Sequence, residues 1–156
     1  MDKVKSRVES EIEIKAFVQN LRYALRNGAR MEFQIHRRVD EDRPELYTNE
    51  YAVNRLFPNE DPVSAIKREL MSISEKDYIQ TVKDLRFPNR SEMREFGKKY
   101  DGEGDVYIKL RVELIGIYGS TTIFVMSFHF AEKPFATKMF PFKKEEVPDE
   151  NESDLI

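Results

Sequence analysis

The chain has 156 residues, with 26 Lys plus Arg, 29 Asp plus Glu, two His, no Cys and a net charge of −3. That length fits one domain with its own core, while the lack of cysteine excludes disulfides, a thiol nucleophile and iron–sulfur clusters. No stretch approaches the roughly 18 apolar residues of a membrane helix. The charged start Met1-Asp2-Lys3-Val4-Lys5-Ser6-Arg7 has no signal-peptide core, so a soluble cytoplasmic protein is expected.

Two overlapping capping boxes, Ser6…Glu9 and Ser10…Glu13, open a first helix. Ile14, Phe17, Val18, Leu21, Ala24 and Leu25 follow at helical spacing, and Asn27-Gly28 supplies the stop. Its single apolar stripe suits packing on a sheet. Met31 to Val39 alternates as a half-buried strand does, with Met31, Phe33 and Ile35 on one side and Glu32, Gln34 and His36 on the other. Residues 40–45 are polar and predict an exposed loop. Asp61-Pro62 starts a short helix over Val63–Met71, with Val63, Ile66 and Leu70 inward. Ser74 with Asp77 predicts another helix to about Lys83, followed by a loop over residues 84–91.

The second half predicts β-structure. A short strand around Met93–Lys98 leads through the turn Asp101-Gly102-Glu103-Gly104. Val106, Ile108, Leu110, Val112 and Leu114 then alternate with Tyr107, Lys109, Arg111 and Glu113. After a turn near Gly116–Ser120, Phe124, Met126, Phe128 and Phe130 are expected on the buried face of a second strand, leaving Ile123, Val125, Ser127 and His129 on the other. Together these elements predict one α+β domain over residues 1–142, N-terminal helices packed on an antiparallel sheet from the C-terminal half. Residues 143–156 predict an acidic, disordered tail.

The charge is unevenly spread. The tail carries −4, residues 1–142 carry +1, and residues 83–99 carry +3 through Lys83, Arg86, Arg90, Arg94, Lys98 and Lys99. A basic segment in a near-neutral body is a patch that an acidic tail can mask. It is equally what a solvated face looks like.

Register sharpens the hairpin. With both buried sets at even positions, paired residue numbers sum to an even value. A sum of 236 sets Tyr107 opposite His129 and Lys109 opposite Ser127, while 238 sets Lys109 opposite His129. Either register gathers Tyr107, Lys109, Arg111 and His129 on one polar face. RNA cleavage needs a base for the 2′-hydroxyl, cations for the phosphate and an acid for the leaving 5′ oxygen. His129 titrates near neutrality. Lys109, Arg111, Lys98 and Arg94 can neutralise phosphate, and Tyr107 can donate a hydrogen bond or stack on a base. No metal or other cofactor is required. Each residue alone also has an ordinary reading as the wet side of a sheet.

Ser74-Glu75-Lys76-Asp77-Tyr78, Glu95-Phe96-Gly97-Lys98 and Asp105-Val106-Tyr107-Ile108-Lys109-Leu110, in that order, resemble the MqsR family of toxins. Val125-Met126-Ser127-Phe128-His129-Phe130-Ala131-Glu132-Lys133-Pro134-Phe135, ending at Phe140-Pro141-Phe142, is similar to the form in Gram-positive members. The resemblance covers about residues 62–142 and implies a RelE-like α+β fold. It also implies a metal-independent mRNA interferase of a type II toxin–antitoxin module, acting on single-stranded mRNA and held by a cognate antitoxin. The family's tyrosine falls on Tyr107, and His129 replaces the lysine that follows Ser-Phe. Gln80 stands where a helical lysine is expected, with Lys83 a turn later, and the family's glutamine falls near Glu95. The catalytic set is then Tyr107, His129, Lys109 and Lys98, with Arg86, Arg90, Arg94, Arg111 and Lys83 binding RNA. The alternative is a non-catalytic RNA- or antitoxin-binding regulator of the same fold.

Overall fold

A computed structural model describes residues 3–37, 43–115 and 120–143. Its strands are β1 (Val4–Arg7), β2 (Arg30–Phe33), β3 (Tyr78–Asp84), β4 (Met93–Tyr100), β5 (Gly104–Ile115) and β6 (Ser120–Phe130). The helices are α1 (Glu11–Arg26), α2 (Asn49–Leu56) and α3 (Pro62–Met71). The sheet order is β1-β3-β4-β5-β6-β2, antiparallel except where β2 runs parallel to β6. This is a single α+β domain.

Helix α1 forms where its capping box predicts: Ser10 accepts from the Glu13 amide, and the Glu13 carboxylate accepts from the Ser10 amide. Asn27 caps its end and Gly28 takes φ 73°, a left-handed conformation that favours glycine. Its stripe of Ile14, Phe17, Val18, Leu21 and Ala24 is buried on the sheet, with Phe17 stacked on Phe96 at 6.1 Å. Side chains of this size each contribute about 1.5–3 kcal/mol on full burial. Helix α3 starts at the Asp61 cap and buries Ile66 and Leu70. Val63 is 36 % exposed rather than inward, and Ala65 takes the buried place. The helices cover one face of the sheet and leave the other open.

Several expectations are corrected. Ser6 caps no helix; it lies in β1 opposite Val82, and the buried Glu9 carboxylate instead accepts from Thr81 and from Arg94 at 2.9 and 3.0 Å. The Ser74–Asp77 capping box does form, but holds a single 3-10 turn, Glu75–Asp77. From Tyr78 the chain is strand β3, as the aromatic and β-branched run Tyr78, Ile79, Thr81, Val82 favours. Regular pairing in the strand begun at residue 30 ends at Phe33, and the part of its predicted extension in residues 38–39 lies outside the described residues. Strand β1 and helix α2 have no counterpart in the sequence reading. The predicted acidic tail beyond Lys143 also lies outside the described residues.

After β6 the chain turns back across β4. The Ala131 amide donates to the Asp105 carbonyl at 2.9 Å, and the Phe135 amide to the Asp105 carboxylate at 2.7 Å. Phe135 and Phe140 then pack edge-to-face, with ring centroids 5.7 Å apart, directly over Gly97. A Cβ at Gly97 would stand 2.6 Å from the Phe135 ring, so only glycine admits this close approach. The segment walls one side of the open face.

Candidate active site on the open face of the sheet

Two adjacent rows of the ladder organise the site. Glu95, Lys109 and Ser127 form one, and Gly97, Tyr107 and His129 the other. The register is the one in which paired numbers sum to 236, so Tyr107 lies directly opposite His129, their rings 5.5 Å apart and inclined by 35°. Beyond β2 the chain delivers Arg37, whose guanidinium reaches Ser127 Oγ at 3.5 Å. Arg43 donates to the Tyr47 carbonyl and to His129 Nε2, both at 3.3 Å. Arg37, Arg43, Tyr107, Lys109, Ser127 and His129 line a cleft of about 380 Å³, which Glu132 also borders.

A β-bulge makes this arrangement possible. Lys109 pairs with Ser127 but Leu110 pairs with Val125, so Met126 is an extra residue in β6. Before the bulge odd-numbered β6 residues face the core; after it even-numbered ones do. Ile123 and Val125 are fully buried, while Phe124 lies opposite Arg111 and carries its guanidinium 4.5 Å from the ring centre. The expected face of Phe124 and Met126 is therefore corrected by one residue of slip. Asn49, buried at the start of α2, holds the bulge: Nδ2 donates to the Met126 and Gln34 carbonyls at 3.0 and 2.7 Å. Its Oδ1 accepts from the Phe128 amide at 2.9 Å. No element of the sequence reading singled out Asn49 or Arg43, because both act through contacts made only after β6 is bulged and β2 docked.

Hydrogen bonding fixes the tautomer of His129. Its Nδ1 lies 3.1 Å from the Phe130 carbonyl, which can only accept, and its Nε2 faces Arg43, which can only donate. The ring is thus neutral, with its lone pair on Nε2. Burial pushes its pKa below the ordinary histidine value of 6.5, opposed by the Phe130 carbonyl and assisted by the Arg43 and Arg37 charges. Burial likewise lowers Lys109, with Glu95 opposing and Arg37 assisting. Arg37 itself is lowered by burial and by the like charge of Arg43. Burial and the adjacent Glu95 carboxylate raise Tyr107, which stays a neutral phenol. Among the described residues no carboxylate pairs with Arg37 or Arg43. Two guanidiniums with no ion-pair partner among the described residues, a neutral imidazole and a lysine whose charged form burial disfavours share the cleft with the Glu132 carboxylate, an arrangement that can hold an anion and move a proton.

The remaining predicted residues divide between the faces. Lys98 pairs with Val106, opposite in parity to Tyr107, and bonds Ser72 Oγ on the helix side. It cannot act with His129. Arg94 is also on the helix side, bound to Glu9 and lying 4.6 Å over the Phe17 ring. Lys83 braces the β3–β4 loop through the Pro88 and Arg90 carbonyls. Arg86 is paired with Asp84 at 2.8 Å, while Arg90 lies 3.9 Å over the exposed Phe87 ring. Arg86, Arg90 and Arg111 border a second, smaller cleft on the open face. Gln80, on β3 rather than a helix, donates to Glu95 at 2.8 Å, which brings it to the same face as Tyr107 and Lys109.

Among the described residues no three His, Asp or Glu side chains come together to hold a metal ion, and no helix is long and apolar enough to cross a membrane. The chain matches no known protein family, curated protein or solved structure.

Proposed function

We propose that this protein is a metal-independent endoribonuclease that cleaves single-stranded mRNA, with a RelE-like fold and the role of an MqsR-like toxin held by an antitoxin. The observation that carries the reading is the neutral His129, its Nε2 lone pair turned into a cleft that also holds Arg37, Arg43 and Lys109. The convergence of Tyr107, Lys109, Gln80, Glu95 and His129 on one face adds support, since these positions are scattered over 50 residues of sequence.

A phosphodiester entering the cleft draws the guanidiniums of Arg37 and Arg43 to its non-bridging oxygens. Arg43 thereby releases His129 Nε2, which accepts the 2′-hydroxyl proton. The 2′ oxygen forms its bond to phosphorus as the bond to the 5′ oxygen breaks, and the Lys109 ammonium protonates that leaving oxygen. The products are a 2′,3′-cyclic phosphate and a 5′-hydroxyl. Tyr107 packs against the imidazole and fixes its plane. Arg37 and Arg43 act on charge that grows in the transition state, the effect that contributes most to such reactions.

Incubation of the protein with an unstructured RNA in EDTA tests the reading. Cleavage leaving cyclic phosphate ends, lost in His129→Asn and retained in Lys98→Ala, is the expected result. Full activity of His129→Asn would remove the imidazole from the mechanism. Salt-sensitive RNA binding without turnover would instead favour the non-catalytic regulator.

A further inference from the structure

Arg37 and Lys109 also line the second, smaller cleft, of about 130 Å³, which continues the open face toward β3. Its floor is apolar: Val82 and Met93 are buried, and Met126 is the extra residue of the bulge. Two guanidiniums border it in different ways. Arg90 lies 3.9 Å over the Phe87 ring, and Phe87 is 41 % exposed at the tip of the β3–β4 loop. Arg111 lies over Phe124 with its Nε 3.4 Å from the Glu113 carboxylate, and its guanidinium borders the cleft from the β5 side.

A shallow slot with an apolar floor and two guanidiniums at its border suits a flat heteroaromatic ring with acceptors on its edge. A phosphate does not need the apolar floor, and an aliphatic side chain does not need the guanidiniums. Unpaired nucleobases have both features, and they stack on aromatic and guanidinium planes. Because Arg37 and Lys109 belong to both clefts, a phosphate held by them has its neighbouring nucleotide within reach of the second.

We propose that this second cleft is a nucleobase subsite, taking the base next to the cleaved phosphate between the Arg90 plane and the floor of Val82, Met93 and Met126. It rests on the endoribonuclease reading for its substrate, and it makes Arg90 and Arg111 the residues that set base preference.

The test is a thermodynamic cycle on binding. Uncleavable 2′-O-methyl oligonucleotides, each with one abasic position, are titrated against the wild type, Arg90→Ala and Arg111→Met. In the wild type one abasic position weakens binding by about one order of magnitude, the scale of one stacked base. In either variant that penalty shrinks toward onefold, although overall affinity also falls. An equal penalty in all three proteins, or none at any position, overturns the subsite. Cleavage of ordinary RNA is measured in parallel, which separates the two proposals. An intact base penalty without cleavage sinks the endoribonuclease alone, and cleavage with an unchanged penalty sinks the subsite alone.

Discussion

Asn49 holds the bulge that turns Ser127 and His129 toward the site, so its replacement tests the structural basis of the catalytic face. Asn49→Ala removes three hydrogen bonds, to the Gln34 and Met126 carbonyls and from the Phe128 amide. Water can reach Gln34, which is exposed, but the Phe128 amide is buried. Each buried backbone group left without a partner costs about 1–3 kcal/mol. With two such groups the expected loss is about 2–6 kcal/mol, a large share of the roughly 5–15 kcal/mol typical of a domain. Asn49→Asp separates donor from acceptor: Oδ1 still accepts from Phe128, but a carboxylate oxygen now faces two carbonyls. That charge is buried and repelled, so the new carboxyl favours its protonated form in the folded state. Folded protein then binds more protons than unfolded, and stability falls as pH rises. Urea denaturation followed by circular dichroism should find Asn49→Asp more stable at pH 5 than at pH 7, relative to wild type. RNA cleavage by the folded fraction should fall as well, since a weakened bulge no longer holds Ser127 and His129 in register on the open face. An Asn49→Ala protein within about 0.5 kcal/mol of wild type, or an Asn49→Asp variant with no pH dependence of its own, refutes the clamp.

Three further outcomes are expected. The pH profile of cleavage should be bell-shaped, its acid limb below the ordinary histidine value of 6.5 and its alkaline limb below the lysine value of 10.5, as His129 must be neutral and Lys109 charged. Lys109→Arg should lose most of the activity, because a guanidinium does not give up its proton, and cleavage at the wild-type rate would take Lys109 out of the proton-transfer role. Arg94→Met should destabilise the fold by about 1–3 kcal/mol by leaving the buried Glu9 with only Thr81 and the half-exposed Arg7, yet leave the salt dependence of RNA binding unchanged. Glu9→Gln added to it should recover much of that stability. Gly97→Ala drives a methyl into Phe135 and should cost about 1–3 kcal/mol, with faster proteolysis of residues 131–143 as the direct readout.

The central hairpin was legible in the sequence because two long alternating runs admit few registers, and the one placing Tyr107 against His129 is observed. Helices α1 and α3 were legible for a similar reason, since cap and apolar period agree. The segment from Ser74 failed because a capping box is local, satisfied by one turn, while the residues after it choose strand for what they pack against. The bulge at Met126 left no mark in a strand whose every residue from Ile123 to Met126 is apolar; either face could have been the buried one. Arg43 was not legible either, since its role depends on where the chain returns to the sheet.

The basic segment 83–99 shows why counting charge along the chain misplaced part of the site. Alternation in β4 sends Arg94 and Lys98 to the helix side, where Glu9 and Ser72 bind them. Asp84 pairs Arg86, and loop carbonyls take Lys83. Of the six cations in that segment only Arg86 and Arg90 border an open-face cleft, and neither reaches His129. The cations around His129 come instead from Arg37 and Arg43 beyond β2 and from Lys109 on β5, in stretches with no excess of charge. What concentrates positive charge on the open face is not a basic run but the absence, among the described residues, of carboxylates that pair with Arg37 and Arg43.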